Sequence, residues 1–168
     1  MPIAIIVDWY GPYYDRRSFT NEMRCWSRGH KALYMGVGRG NIINYIGLTS
    51  TPATRFNNHR TLFNEENVRF YCGEITSQGV TGKSRSDRSK HRPDLKIAEH
   101  TLISFLSPKL NSNLKSKDIE DCVVVYSRFF KTDNFEEPMK RNPLPKFPKI
   151  IAFNSWAGQW DVLKYGNG

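Results

Sequence analysis

The sequence predicts an α+β fold: a small three-stranded mixed or antiparallel sheet flanked by helices, with β-rich extensions at both ends. Three observations carry that expectation. Two segments of alternating pattern, Leu33–Val37 and Ile42–Leu48, flank a Gly38-Arg39-Gly40-Asn41 turn and so read as a hairpin. Two stretches with apolar residues at helical spacing follow, Pro52–Phe63 and Asp94–Leu106. Between them, Val68–Ile75 alternates well enough to be a third strand.

In chain order, Ile3–Tyr10 reads as an apolar strand that closes on Asp8, before a turn around Gly11-Pro12. Asp8 is weighed as a metal ligand, because a hydrophobic strand ending in aspartate opens several metal-dependent nuclease folds. The reading favoured is that it starts the Trp9–Tyr14 turn. Thr20–Arg28 reads as a short helix capped by Ser18 or Thr20 and stopped by Gly29. In the hairpin turn, glycine and asparagine tolerate positive φ at little steric cost. Thr51 offers an N-cap oxygen to the next helix, and Pro52 fits its first position. On that helix Arg55 and His59 are four apart and share a face, beside an apolar stripe of Phe56 and Phe63.

After the third strand, Thr76–Asp94 is polar, without hydrophobic periodicity, and rich in Lys83, Arg85, Arg88, Lys90 and Arg92. Loops that long in a compact domain are functional or disordered. This one reads either as a solvated loop or as a contact for a DNA backbone. Within it, Ser77–Ser84 approaches a phosphate-binding P-loop, but serine replaces the first glycine and no amphipathic helix follows the lysine. A nucleotide cofactor is therefore not expected. Asp94 caps the second helix, whose Leu95, Ala98 and Leu102 face the core, and Ser107-Pro108 ends it. Glu99 lies at the edge of that stripe, where a carboxylate reaches either a cleft or a surface lysine. Farther on, Val123–Tyr126 reads as the core of a buried strand and Phe135–Pro148 as a proline-rich connector. Ile150–Phe153 makes a last strand, with Trp156 and Trp160 packing the C-terminal turn.

The chain has 168 residues, room for one domain with a proper core. A formal charge of +9 and a pI near 9.6 call for an anionic partner, nucleic acid before a membrane surface. No apolar run reaches transmembrane length, and the N-terminus lacks the pattern of a signal peptide. Three scattered cysteines, Cys25, Cys72 and Cys122, suit a reduced, cytoplasmic protein and argue against a disulfide frame or a zinc site.

Two phenols on a hairpin, Tyr34 and Tyr45, with a guanidinium and an imidazole on the next helix, can bind a phosphodiester and manage a proton. Together they resemble the GIY-YIG nuclease family. Ala32-Leu33-Tyr34 stands where the first triplet belongs and differs from it in two letters; Tyr45-Ile46-Gly47 is the second triplet unaltered. Arg55 and His59 fall where that family's helix carries its arginine and often a histidine. Lys96-Ile97-Ala98-Glu99-His100 resembles the element that supplies its metal-binding glutamate. Asn111, with Asn113 in reserve, resembles the asparagine of the following loop.

The resemblance covers residues 31–113, making that span the catalytic core of a single domain 1–168, with extensions 1–30 and 114–168. It implies an endonuclease that hydrolyses phosphodiester bonds in double-stranded DNA, depends on Mg²⁺ or Mn²⁺, and uses Tyr34, Tyr45, Arg55, His59, Glu99 and Asn111. Glu99 would hold the metal, Arg55 the scissile phosphate, and Tyr34 would be the general base, with Tyr45 and His59 as an unranked proton relay. The lack of a separate recognition domain suits a site-specific restriction-type enzyme, open to homodimer formation; a phage or repair nuclease of the same family is equally compatible. The alternative from another class is a non-catalytic, basic nucleic-acid-binding module. A nuclease centred on Asp8 would need more acidic partners than the sequence offers.

Overall fold

A computed structural model describes residues 2–27, 31–63, 67–76, 93–112 and 118–164. Its strands are β1 (Ile3–Tyr13), β2 (Ala32–Val37), β3 (Ile43–Thr49), β4 (Arg69–Ile75), β5 (Val123–Phe130), β6 (Ile150–Asn154) and β7 (Gln159–Leu163). Its α-helices are α1 (Arg16–Ser27), α2 (Pro52–Asn58), α3 (Arg60–Phe63) and α4 (Pro93–Leu106).

The expected three-stranded sheet with separate β-rich extensions is not what forms. All seven strands join one curled, mixed sheet in the order β3-β2-β4-β1-β5-β6-β7. The expected trio is present as β3, β2 and β4, but β1 pairs antiparallel with β4 and parallel with β5, tying both flanks to it. The physical reason lies in β1 itself. Ile5, Val7, Trp9 and Tyr10 are all buried, so this strand needs cover on both faces and a neighbour at both edges.

β1 also runs through the expected Gly11-Pro12 turn. A bulge interrupts pairing after Tyr10, and Tyr13 pairs with Phe70. Gly11 permits the close approach, since a Cβ there would lie 2.6 Å from the Tyr71 ring and 2.8 Å from the Phe70 carbonyl oxygen. Asp8 therefore sits mid-strand rather than at a turn. It is buried, and Arg128 on β5 grips it with a fork, Nε to Oδ1 at 2.6 Å and Nη2 to Oδ2 at 2.7 Å.

The sheet is sandwiched. One face packs Trp9, Leu33, Met35 and Ile46 against Ala98 and Leu102 of α4. The other packs Tyr34, Phe70 and Cys72 against Phe19 and Met23 of α1 and Phe56 of α2. α1 starts earlier than expected because Asp15 caps it, its carboxylate accepting the Ser18 N–H at 2.8 Å.

The expected helix Pro52–Phe63 divides into α2 and α3 at His59, whose backbone is not helical (φ −96°, ψ 52°). Pro52 opens α2, but Thr51 makes no side-chain cap; its N–H bonds the Thr49 hydroxyl instead. Asp94 lies inside the first turn of α4. At the C-terminal end, Trp160 packs between Phe105 and Phe153, whereas Trp156 is 93% exposed at the β6–β7 turn. No helix of the described residues is long and apolar enough to cross a membrane, and the three cysteines are free thiols.

Candidate active site

Pairing of β2 with β3 sets Tyr34 opposite Gly47 and Gly36 opposite Tyr45. The two tyrosines thus occupy diagonal positions on one face, and their rings stack at 5.6 Å with 27° between planes. Gly47 makes this possible: a Cβ there would sit 2.6 Å from the Tyr45 ring and 3.0 Å from the Tyr34 hydroxyl. The last letter of the second triplet is therefore a steric requirement of its first.

α2 lies over this face and brings Arg55 to the hydroxyls. Its Nε donates to Tyr34 Oη at 3.3 Å and its Nη2 to Tyr45 Oη at 2.9 Å. Phe56, next in the helix, meets the Tyr34 ring edge-on at 5.1 Å. Tyr34 is fully buried, and burial, followed by the neighbouring Tyr45, raises its pKa well above the ordinary phenol value. His59, at the break after α2, sets its ring 5.1 Å from that of Tyr45. Burial and then the charge of Arg55 lower its pKa, which favours the neutral imidazole.

Glu99 comes from α4, on the opposite face of the sheet. It reaches the C-terminal end of β3, where its carboxylate accepts the Leu48 N–H. Burial raises its pKa, opposed by that N–H and by the charges of Arg55, Lys31 and Lys96. Arg55 and Glu99 thus lie on opposite faces of the sheet near its edge strand, close enough for the charge of Arg55 to act on the Glu99 carboxyl. Lys31, exposed just ahead of β2, was missed by sequence reasoning; its position directly before the first triplet was the available signal.

Asn111 acts on the backbone of β3 through two hydrogen bonds. Its side-chain oxygen accepts the Ile46 N–H at 3.0 Å, and its Nδ2 donates to the Ile46 carbonyl at 2.8 Å. Leu110 N–H also bonds the Asn44 carbonyl at 2.7 Å, so this segment lines the free edge of β3. Asn111 is thus a positioning residue, fixing the backbone between Tyr45 and Gly47.

The five basic loop residues Lys83, Arg85, Arg88, Lys90 and Arg92 lie outside the described residues, as do the P-loop-like stretch and Asn113. The loop's described flanks, Thr76 and Pro93, follow β4 and open α4. Asp8 has both oxygens in the Arg128 fork, and Glu74 stands opposite it on β4.

Among the described residues no three His, Cys, Asp or Glu side chains cluster to hold a metal. Glu99 is a single carboxylate beside cationic groups. That donor set fits a hard cation such as Mg²⁺ or Mn²⁺ held through one protein oxygen and does not fit an all-protein cage. No family model, curated protein or solved structure matches the chain.

Proposed function

We propose that the chain is a divalent-metal-dependent endonuclease of GIY-YIG type, hydrolysing phosphodiester bonds in double-stranded DNA. One observation carries this reading. A guanidinium forks across two stacked tyrosine hydroxyls, and a glutamate from the opposite face of the sheet lies within reach of its charge. Simple binding of nucleic acid has no use for a partly buried carboxylate in a basic setting, because its charge repels phosphate. This weighs against the non-catalytic binding module.

Arg55 holds the scissile phosphate. Two of its five N–H groups are engaged by the tyrosines, which lock the guanidinium plane while the others face substrate. That fixed cation opposes the charge that grows on the phosphate in the transition state. Glu99 would hold Mg²⁺ or Mn²⁺, which supplies Lewis-acid stabilisation of the phosphoryl oxygens. Tyr34 is too deeply buried, and its pKa too high, to take a proton from water; it positions Arg55. His59, neutral and half-buried beside Tyr45, is the better general base. Lys31 adds a second cation for an adjoining phosphate.

The restriction-type, site-specific mode and a cytoplasmic setting belong to the same proposal; a phage or repair role uses identical chemistry. Incubation with supercoiled plasmid and Mg²⁺, with and without EDTA, tests the activity. Metal-dependent linearisation with discrete sequenced ends supports the reading. An intact plasmid across Mg²⁺ and Mn²⁺ contradicts it.

A further inference from the structure

We propose that a basic cleft at the far end of β3 is a second binding site for the DNA backbone, about half a helical turn from the scissile bond. This rests on the nuclease reading and adds to it a place where the duplex runs.

The cleft has a volume of about 330 Å³ and lies between the β2–β3 turn, the end of α4 and the segment before β6. Leu106 and Phe147 give it an apolar floor, while Lys109 and Lys146 stand at its walls and none of the described lining residues is acidic. Both lysines are exposed, and Arg39 of the adjoining turn is exposed as well. An apolar floor under cationic walls matches a deoxyribose with its flanking phosphates.

Backbone geometry marks the same place. Gly40 (φ 69°), Asn41 (φ 62°) and Ser107 (φ 49°) all line the cleft in the left-handed region. Ser107 is the informative one, because glycine is the easy residue past a helix end and serine there is strained. The Lys109 N–H bonds the Ile43 carbonyl at 3.3 Å, so this lysine is tied to the same strand whose other end reaches Glu99.

That shared strand sets the spacing. From Ile43 to Leu48 the chain makes five strand steps of roughly 3.3 Å, or about 17 Å. A duplex rises about 3.4 Å per base pair, so the cleft falls about five base pairs from the cut. A duplex laid along the β3 edge touches both sites at once.

The test compares wild type with the Lys109→Ala/Lys146→Ala double variant in EDTA, by anisotropy of labelled duplexes across a salt series. One duplex extends well beyond five base pairs on each side of the cut; the other is shorter. The long duplex should bind the variant about tenfold more weakly, with the log–log salt slope shallower by about two contacts' worth. The short duplex should bind both proteins alike. Equal affinity for the long duplex, or equal loss on both duplexes, overturns the proposal while wild-type cleavage leaves the nuclease reading standing. Competition by millimolar inorganic phosphate at constant ionic strength against the long duplex, absent in the variant, would support the cleft as a phosphate contact. A wild type that binds neither duplex removes both readings.

Discussion

At the scale of single residues, the site divides into groups that hold and groups that titrate. Tyr34 and Tyr45 hold Arg55, and His59 and Glu99 have pKa values displaced toward their uncharged forms. His59→Ala should slow cleavage by about 10²–10⁴-fold, the usual range for a lost general base, with little change in DNA affinity. In wild type the acid limb of the rate profile should lie below pH 6.5, since the base works only while neutral and its pKa is lowered. A limb at or above that value contradicts the assignment.

Glu99 makes an opposite kind of prediction. Its raised folded pKa means the protonated form is favoured by folding; that stabilisation is full below the unfolded value and lost as pH rises through the folded one. The ionised side chain at pH 7 is a cost, so Glu99→Gln should raise the melting temperature of metal-free protein. A melting temperature lower than wild type's would count against it. These residues were legible one by one, because their types and spacings survive in the sequence. Their protonation was not, since burial depends on which layers close over them.

At the scale of elements, β3 organises the site. It carries Tyr45 and Gly47, receives Glu99 at Leu48, and is lined along its free edge by Asn111. Asn111→Ala should destabilise the fold by about 1–3 kcal/mol, the cost of leaving a backbone pair without its partner, as read by urea unfolding. It should also slow cleavage, because the Tyr45–Gly47 backbone loses its support. Unchanged stability would show that water replaces the amide readily. Gly47→Ala should be worse for activity than for folding: the tyrosine rings can shift by tenths of an ångström, but the Arg55 fork cannot follow both. The hairpin was legible from its alternation and turn residues. The division of the helix at His59 was not, as Pro52–Phe63 has no residue between that forbids helix. Asn111 read as an orienting amide, but its partner was not legible, because sequence shows an amide's chemistry and not the strand edge that uses it.

At the scale of the whole molecule, β1 makes the difference between the small sheet expected and the seven strands found. Its apolar run was legible as a strand, but its partners were not, since β1–β5 pairing spans residues more than a hundred positions apart. Gly11-Pro12 reads locally as a stop, and only the packing against Tyr71 explains why pairing resumes at Tyr13. The Asp8–Arg128 fork secures that central seam. Asp8→Asn should therefore lower stability, though by less than the about 3–5 kcal/mol seen for fully buried pairs, because Arg128 is 31% exposed. It should leave the metal dependence of cleavage unchanged; altered metal dependence would bring Asp8 back as a ligand.

The central claim, that Glu99 and Arg55 act from opposite faces of the sheet near β3 to cut a phosphodiester, is tested most directly by separating binding from cleavage in one variant. The measurement is a single-turnover time course with end-labelled duplex and Mg²⁺, for wild type and Glu99→Gln, with duplex affinity determined on the same preparations. The account predicts that Glu99→Gln binds duplex at least as tightly as wild type and leaves it uncut. Cleavage by Glu99→Gln at the wild-type rate would contradict the account.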